Sequence, residues 1–125
     1  MPIASIIVPA YNVQKTLSAT LTALLNQTLT DFEIIIVNDG STDNTSEIAA
    51  WFQSDPRVHV VHQRNRGLAG ARNTGIATAT GRYIGFCDAD DLWEPEKLNT
   101  HLLHLNRNPA VGVSYSGSTL IDDDG

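Results

Sequence analysis

The sequence predicts an α/β fold: a doubly wound, mostly parallel sheet with helices on both faces. Three observations carry that expectation. Apolar, β-branched runs alternate with amphipathic segments, the connections are a few residues long, and each run stops at a polar or turn-forming cluster. Ile3 to Val8 reads Ile-Ala-Ser-Ile-Ile-Val, nearly continuous, as a strand buried on both faces does, and stops at Pro9. Val13, Leu17, Leu21, Leu24 and Leu25 then fall at helical spacings, placing one apolar stripe on a segment that ends near Gln27. Phe32 to Val37 is a second apolar strand, Asn38 to Thr42 a polar turn, and Asn44 to Phe52 a helix with Ile48, Ala49 and Phe52 on one side. Val58 to Val61 makes a short third strand and Arg64 to Leu68 a polar loop. Ala69 to Ala79 is a helix of small residues, interrupted by Gly75, that suits close approach to a sheet. Arg82 to Cys87 is a fourth strand, and Pro95, placed for a first helical turn, opens a helix to Arg107 with Leu98, Leu102 and Leu105 inward. Pro109 ends it, and Val111 to Tyr115 is expected as a fifth strand.

After that strand come Asp122, Asp123, Asp124 and Gly125, with no further helix to cover the sheet, so the pattern is of one domain over residues 1–125 that stops in mid-fold. Its 125 residues, 42% hydrophobic and 18% charged, suit one core. A formal charge of −6 and a pI near 4.9 are the wrong sign for gripping nucleic acid by its phosphates. A lone cysteine, Cys87, excludes an intrachain disulfide and fits a reducing compartment, so the cytosol is the expected location. No basic segment precedes an apolar run at the start, and no apolar stretch approaches the ~20 residues that span a bilayer.

Ligands of doubly wound sheets sit beyond the carboxyl ends of the strands, where the direction of connection reverses, so the residues after each strand bear the chemistry. Here they are Pro9-Ala10-Tyr11-Asn12, Asn38 to Asp43, Arg64 to Gly67, and Asp88-Ala89-Asp90-Asp91. If the backbone stays extended past Cys87, Asp88 and Asp90 project from one face, and a hard divalent cation, Mg²⁺ or Mn²⁺, relieves their repulsion while leaving positions for a diphosphate. The plain alternative is a solvated turn with Asp90 or Asp91 capping the next helix. Ser41, Thr42 and Asp43 read as caps of the following helix beside the turn residue Gly40. Asp39 directly follows a buried strand, where a carboxylate can accept from the imide of a uracil-like base or from a ribose hydroxyl.

Arg64, Arg66, Arg72 and Arg82 make up half of the eight Lys and Arg, a positive rim beside an acidic pocket; Arg72, among small residues at a helix start, is the preferred base or phosphate contact. His59 and His62 sit three apart in an extended segment and face opposite ways, and His101 and His104 have no further ligand, so no histidine is given a role. Trp51 and Trp93 are most simply packing residues, although Trp93 could flank a bound sugar.

Taken in order, Ile6-Ile7-Val8-Pro9-Ala10-Tyr11-Asn12, Phe32 to Asp43, Asn65-Arg66-Gly67-Leu68-Ala69-Gly70-Ala71-Arg72-Asn73, and Asp88-Ala89-Asp90-Asp91 with Pro95 and Leu98 behind it resemble family 2 glycosyltransferases of the GT-A, Rossmann-like fold. The resemblance implies a nucleotide-sugar donor, with uridine the family-level preference. Pro9, Ala10, Tyr11, Asp39 and Arg72 would hold the base, Asp88 the ribose and Asp90 a Mn²⁺ or Mg²⁺ on the diphosphate, with Asp91 able to replace Asp90. It further implies inverting transfer to an acceptor hydroxyl on a sugar, a lipid-linked sugar or a protein, the products commonly being cell-surface polysaccharides. The family's general base follows the metal motif and has no convincing match here; Asp122 to Asp124 come too early. The segment is thus expected to be the donor-binding part of a longer enzyme, inactive alone and able to reach the inner face of a membrane only through a further C-terminal part. The alternative is a noncatalytic module that kept the donor pocket. A phosphoacceptor receiver would need paired acids after the first strand, and a dinucleotide fold would need Gly-X-Gly-X-X-Gly there; neither is present.

Overall fold

The computed structural model describes residues 1–122; Asp123, Asp124 and Gly125, the end of the acidic run, lie outside the described residues. The chain alternates strictly, β1 (Ala4–Ala10), α1 (Leu17–Leu25), β2 (Phe32–Asp39), α2 (Thr45–Phe52), β3 (Val58–Gln63), α3 (Gly67–Thr78), β4 (Tyr83–Phe86) and α4 (Lys97–Arg107). All neighbouring strands are parallel, in the order β3-β2-β1-β4. The two central strands, β1 and β2, are the near-continuous apolar runs, and both are buried along almost their whole length.

Alternate residues of β1 and β2 face different helices. Ala4, Ile6, Val8, Phe32, Ile34 and Ile36 belong to the main core, closed by Leu17, Leu21 and Leu24 of α1, Ala49 and Phe52 of α2 and Leu98 and Leu102 of α4. Each fully buried aliphatic there contributes about 1.5–3 kcal/mol relative to exposure. On the other face Ile35, Val37 and Ala71 form a smaller cluster under α3. Gly75 explains how α3 gets so close: a Cβ there would fall on Ile7 Cγ2 and lie 3.0 Å from Cγ1. Two of the small residues of this helix, Ala71 and Gly75, therefore serve contact with the sheet, while Ala69 and Ala77 are exposed.

At the amino ends of the strands, Glu33 accepts hydrogen bonds from Ser5 Oγ (2.6 Å), Thr80 N (2.8 Å) and Thr80 Oγ1 (2.9 Å), and lies 3.5 Å from His59 Nε2. Burial pushes its carboxyl up, but these bonds and His59 outweigh it, so Glu33 sits below its ordinary value.

Three expectations need correction. Val111 to Tyr115 forms no strand: Val113 and Tyr115 are exposed, and Ser114 and Ser116 instead meet His101 Nδ1 (2.6 Å) and Lys97 Nζ (2.7 Å) of α4. A β-branched run becomes a strand only where it pairs, and here it pairs with α4 side chains. The fourth strand ends at Phe86, and the fourth helix begins at Lys97 because residues 95–96 form a turn. β2 runs on to Asp39 and β3 to Gln63, so Asn38 and Asp39, read as turn, are the last rungs of the ladder, paired with His62 and Gln63.

Candidate nucleotide and metal site

The chain passes from β1 through β2 to β3 on one side of the sheet, then returns through α3 to place β4 on the far side of β1. Connection direction reverses between β1 and β4, and a cleft opens there. Its volume is about 340 Å³, and its walls are Pro9, Ala10, Tyr11 and Val13 at and after the end of β1, Asp39 at the end of β2, Asn65, Gly67, Leu68 and Ala71 around the start of α3, and Asp88, Ala89 and Asp90 after β4. A larger groove of about 700 Å³ between Gln14, Lys15 and α2 is shallow and lies away from these strand ends.

Beside the cleft two loops brace one another. Asn12, held at a φ of +50°, accepts on Oδ1 from Thr42 N (2.8 Å) and donates its own N–H to Ser41 Oγ (3.0 Å). Val13 N donates to Thr45 Oγ1 and Gln14 N to Asp43 Oδ2, while Asp43 Oδ1 accepts from Thr45 N at 2.9 Å. Asp43 thus holds the start of α2, whereas Ser41 and Thr42, expected as caps, do not cap the helix but tie this loop to Asn12. Gly40 itself has a φ of +77°, and a Cβ would lie 2.8 Å from Asn65 N, so only glycine fits where the two loops approach.

Asp39 is almost wholly buried, 3% exposed, and one of its oxygens is already committed. Oδ1 accepts from Gln63 Nε2 and from the Arg66 backbone N–H, both at 2.8 Å. Gln63 is held in turn by Thr74 Oγ1, which donates to Gln63 Oε1 at 2.6 Å. Gln63 and Thr74 carry no motif signature. The signal that could have found them is register, since Gln63 is the last rung of β3, directly opposite Asp39.

The acidic group forms differently from expected. The backbone does not stay extended after β4; it turns, with Asp91 N donating to Asp88 O at 3.0 Å. That turn brings in the third carboxylate, so Asp88, Asp90 and Asp91 each offer an oxygen within 4.8 Å of the others. Burial and the charges of Asp88 and Asp90 raise the Asp91 carboxyl above its ordinary value. Just behind the turn, Gln27 fastens the chain to the end of α1: its Nε2 donates to Glu94 O (2.8 Å) and its Oε1 accepts from Leu98 N (3.0 Å). Cys87 is buried beside the turn, and burial, with Asp91 and Asp88, pushes its thiol up to about 12.

Arg72 reaches across from α3, with Nη2 3.4 Å from Asp88 Oδ1, and its Nε is a buried donor without a partner. A buried cationic donor left open beside three gathered carboxylates fits an anion bridged to the group by a hard cation. The structure does not bring every candidate here. Trp93 packs against the core beneath Lys97 Nζ, 5.3 Å from its ring, and does not line the cleft. Arg64 and Arg82 are exposed and also lie outside it, and Arg66, Arg72 and Asp91 are not among the residues that form its walls.

A family model described as glycosyl transferase family 2 matches residues 5–122. The chain belongs to that family. Among relatives of this family-2 chain, EpsJ of Bacillus subtilis, an uncharacterized glycosyltransferase, is 53% identical over 92 residues, 73% of this chain and 27% of that protein. Among solved structures, S. aureus TarS 1-349 in complex with UDP-GlcNAc matches with a TM-score of 0.80 and 30% identity, over 85% of this chain and 32% of that one. The mannosyltransferase PcManGT of Pyrobaculum calidifontis, in complex with GDP-Man and Mn²⁺, matches with a TM-score of 0.78 and 30% identity, over 89% and 34%. The family-2 chain thus spans about a quarter of the first protein and about a third of the other two. Among the described residues no helix is long and apolar enough to cross a membrane.

Proposed function

We propose that this chain is the donor-binding part of an inverting, metal-dependent glycosyltransferase that moves a sugar from a nucleotide diphosphate, a UDP-sugar, to an acceptor hydroxyl. One observation carries the reading: Asp88 and Asp90 line the switch-point cleft together with the buried Asp39, Asp91 gathers beside them, and Arg72, with an unpartnered buried nitrogen, reaches Asp88. Two neighbours that bind nucleotide sugars, one with UDP-GlcNAc and one with GDP-Man and Mn²⁺, support it.

In this reading Tyr11, half exposed on the cleft wall, offers its ring to the base, and Pro9 and Ala10 bring β1 backbone against it. Asp39 accepts a hydrogen bond from the base, Arg72 contacts base or phosphate, and Asp88 takes a ribose hydroxyl. Asp90 and Asp91 would hold Mn²⁺ or Mg²⁺, hard carboxylate oxygens being the right chemistry for either ion. Bound there, the cation would offset the charge that builds on the diphosphate as it leaves.

Single displacement also needs a base to take the acceptor proton. The carboxylates lining the cleft, Asp39, Asp88 and Asp90, are all assigned to the donor. Residues 1–125 therefore form one domain that binds donor and metal without turning over, and the acceptor, whether sugar, lipid-linked sugar or protein, is met by a further part of the enzyme, at the inner face of a membrane where the acceptor is lipid-borne. Calorimetric titration with UDP, with and without Mn²⁺, beside Asp90→Ala tests this. Binding that needs the metal and is lost in the variant is expected; absence of UDP binding under both conditions, or sugar transfer by the 125 residues alone, contradicts it.

A further inference from the structure

Both nucleotides seen in the neighbouring enzymes fit this fold, so the fold does not choose the base. The choice has to lie in side chains, and Asp39 is the buried carboxylate on the cleft wall. A carboxylate free on both oxygens pairs equally with one N–H or with two side by side, and guanine offers such a pair, N1–H and the exocyclic amine. Uracil offers one, the imide N3–H, between two carbonyl acceptors.

Asp39 is not free on both oxygens. Oδ1 receives two hydrogen bonds, from Gln63 Nε2 and Arg66 N, both at 2.8 Å, which fills its lone pairs; Oδ2 accepts none from the described residues. Gln63 can donate only because its amide is oriented. Rotated by half a turn, it would present Oε1 to the carboxylate and repel it. The carboxylate, an acceptor only, favours the Nε2 end, and Thr74 supports the same orientation: its single hydroxyl hydrogen is in reach of Gln63 Oε1 (2.6 Å) and Gly70 O (3.1 Å), and given to the nearer Oε1 it holds that end away from Asp39. Thr74 stands on α3, two residues beyond Arg72, and α3 is seated on β1 through Gly75, so the relay is anchored to the sheet.

We propose that Gln63 and Thr74 are positioning residues that commit Asp39 Oδ1 to the protein and leave Oδ2 alone for the ligand, so that the cleft selects a base presenting a single N–H, a uracil-type imide, over guanine. This inference rests on the donor-site reading above. Neither residue touches the nucleotide; both act through Asp39.

The test is titration of the chain with UDP and with GDP in Mn²⁺, for wild type, Gln63→Leu, Thr74→Val and Thr74→Ser. Wild type is expected to prefer UDP by about tenfold or more, a typical margin for one matched against one mismatched base edge. Gln63→Leu releases one bond to Oδ1, and the preference should fall to about threefold or less. Thr74→Val, nearly isosteric and out of contact with Asp39, should narrow it in the same direction, and Thr74→Ser should restore it. Should Gln63→Leu fail to fold by thermal melting, the Thr74 pair decides alone. Equal losses for UDP and GDP in the variants would mean a merely structural role and overturn the inference while leaving the donor site intact, as would a wild type that binds both alike. Wild type binding neither nucleotide overturns the donor-site reading and this inference with it.

Discussion

Gly75→Ala isolates the contact that seats α3 on the sheet. In a helix interior, glycine to alanine ordinarily stabilises by about 1 kcal/mol through backbone entropy. Here the new methyl would fall on Ile7 Cγ2 with Cγ1 3.0 Å away, and Ile7 is fully buried, flanked by Ile35 on β2 and Phe86 on β4. Ile7 has no open side to retreat into, and overpacking of this kind costs about 1–3 kcal/mol. A methyl falling on Ile7 Cγ2 belongs in the upper part of that range, about 2–3 kcal/mol, so after the gain in propensity a net loss of about 1–2 kcal/mol is expected in urea denaturation followed by circular dichroism. The same change in an Ile7→Ala background meets a cavity instead of a methyl, and there alanine should stabilise by about 1 kcal/mol. The coupling between the two sites should therefore exceed about 1 kcal/mol. A Gly75→Ala chain as stable as wild type, or one destabilised equally in both backgrounds, would refute the close-approach argument.

Other outcomes follow from the titrating groups. Asp91 is raised by burial and by Asp88 and Asp90, so its ionised form works against the fold at neutral pH; Asp91→Asn should melt higher than wild type without metal and lower with saturating Mn²⁺. Glu33 is lowered on balance, so its stabilisation is complete above the unfolded value near 4.5 and is lost as pH falls through the folded one. Glu33→Gln should cost about 1–2 kcal/mol at pH 7, and a denaturation series should show the gap to wild type closing as pH falls below the ordinary value of 4.5. The Cys87 thiol, pushed up to about 12, should resist alkylation by iodoacetamide at pH 8 in the folded chain and react once urea unfolds it.

The parts of the molecule legible in the sequence are those where local chemistry has only one outlet. Ile6, Ile7 and Val8 have no polar neighbours to expose, so a buried parallel strand was the available reading, and the acids after Phe86 had to meet at a strand end. Val111 to Tyr115 failed because strand formation needs an adjacent edge, a property of the assembled sheet that five residues do not encode. Gathering of Asp91 with Asp88 and Asp90 hung on a single turn bond, Asp91 N to Asp88 O, which no alternation rule anticipates. Gln63 was missed for a third reason. Its meaning lies wholly in its partner across the ladder, and pairing of β3 with β2 is settled by packing far from the cleft.

Beside the cleft, two loops from different βα units each supply acceptors for the other's amides: Asn12 for Thr42, Ser41 for Asn12, Thr45 for Val13, Asp43 for Gln14. Neither can lift without stranding the other's N–H groups, so the two segments open as one cooperative unit. Their amides should exchange with deuterium at a shared rate, and a nucleotide resting against Tyr11 and Asp39 should slow both loops together, including amides of the second loop that the ligand never touches.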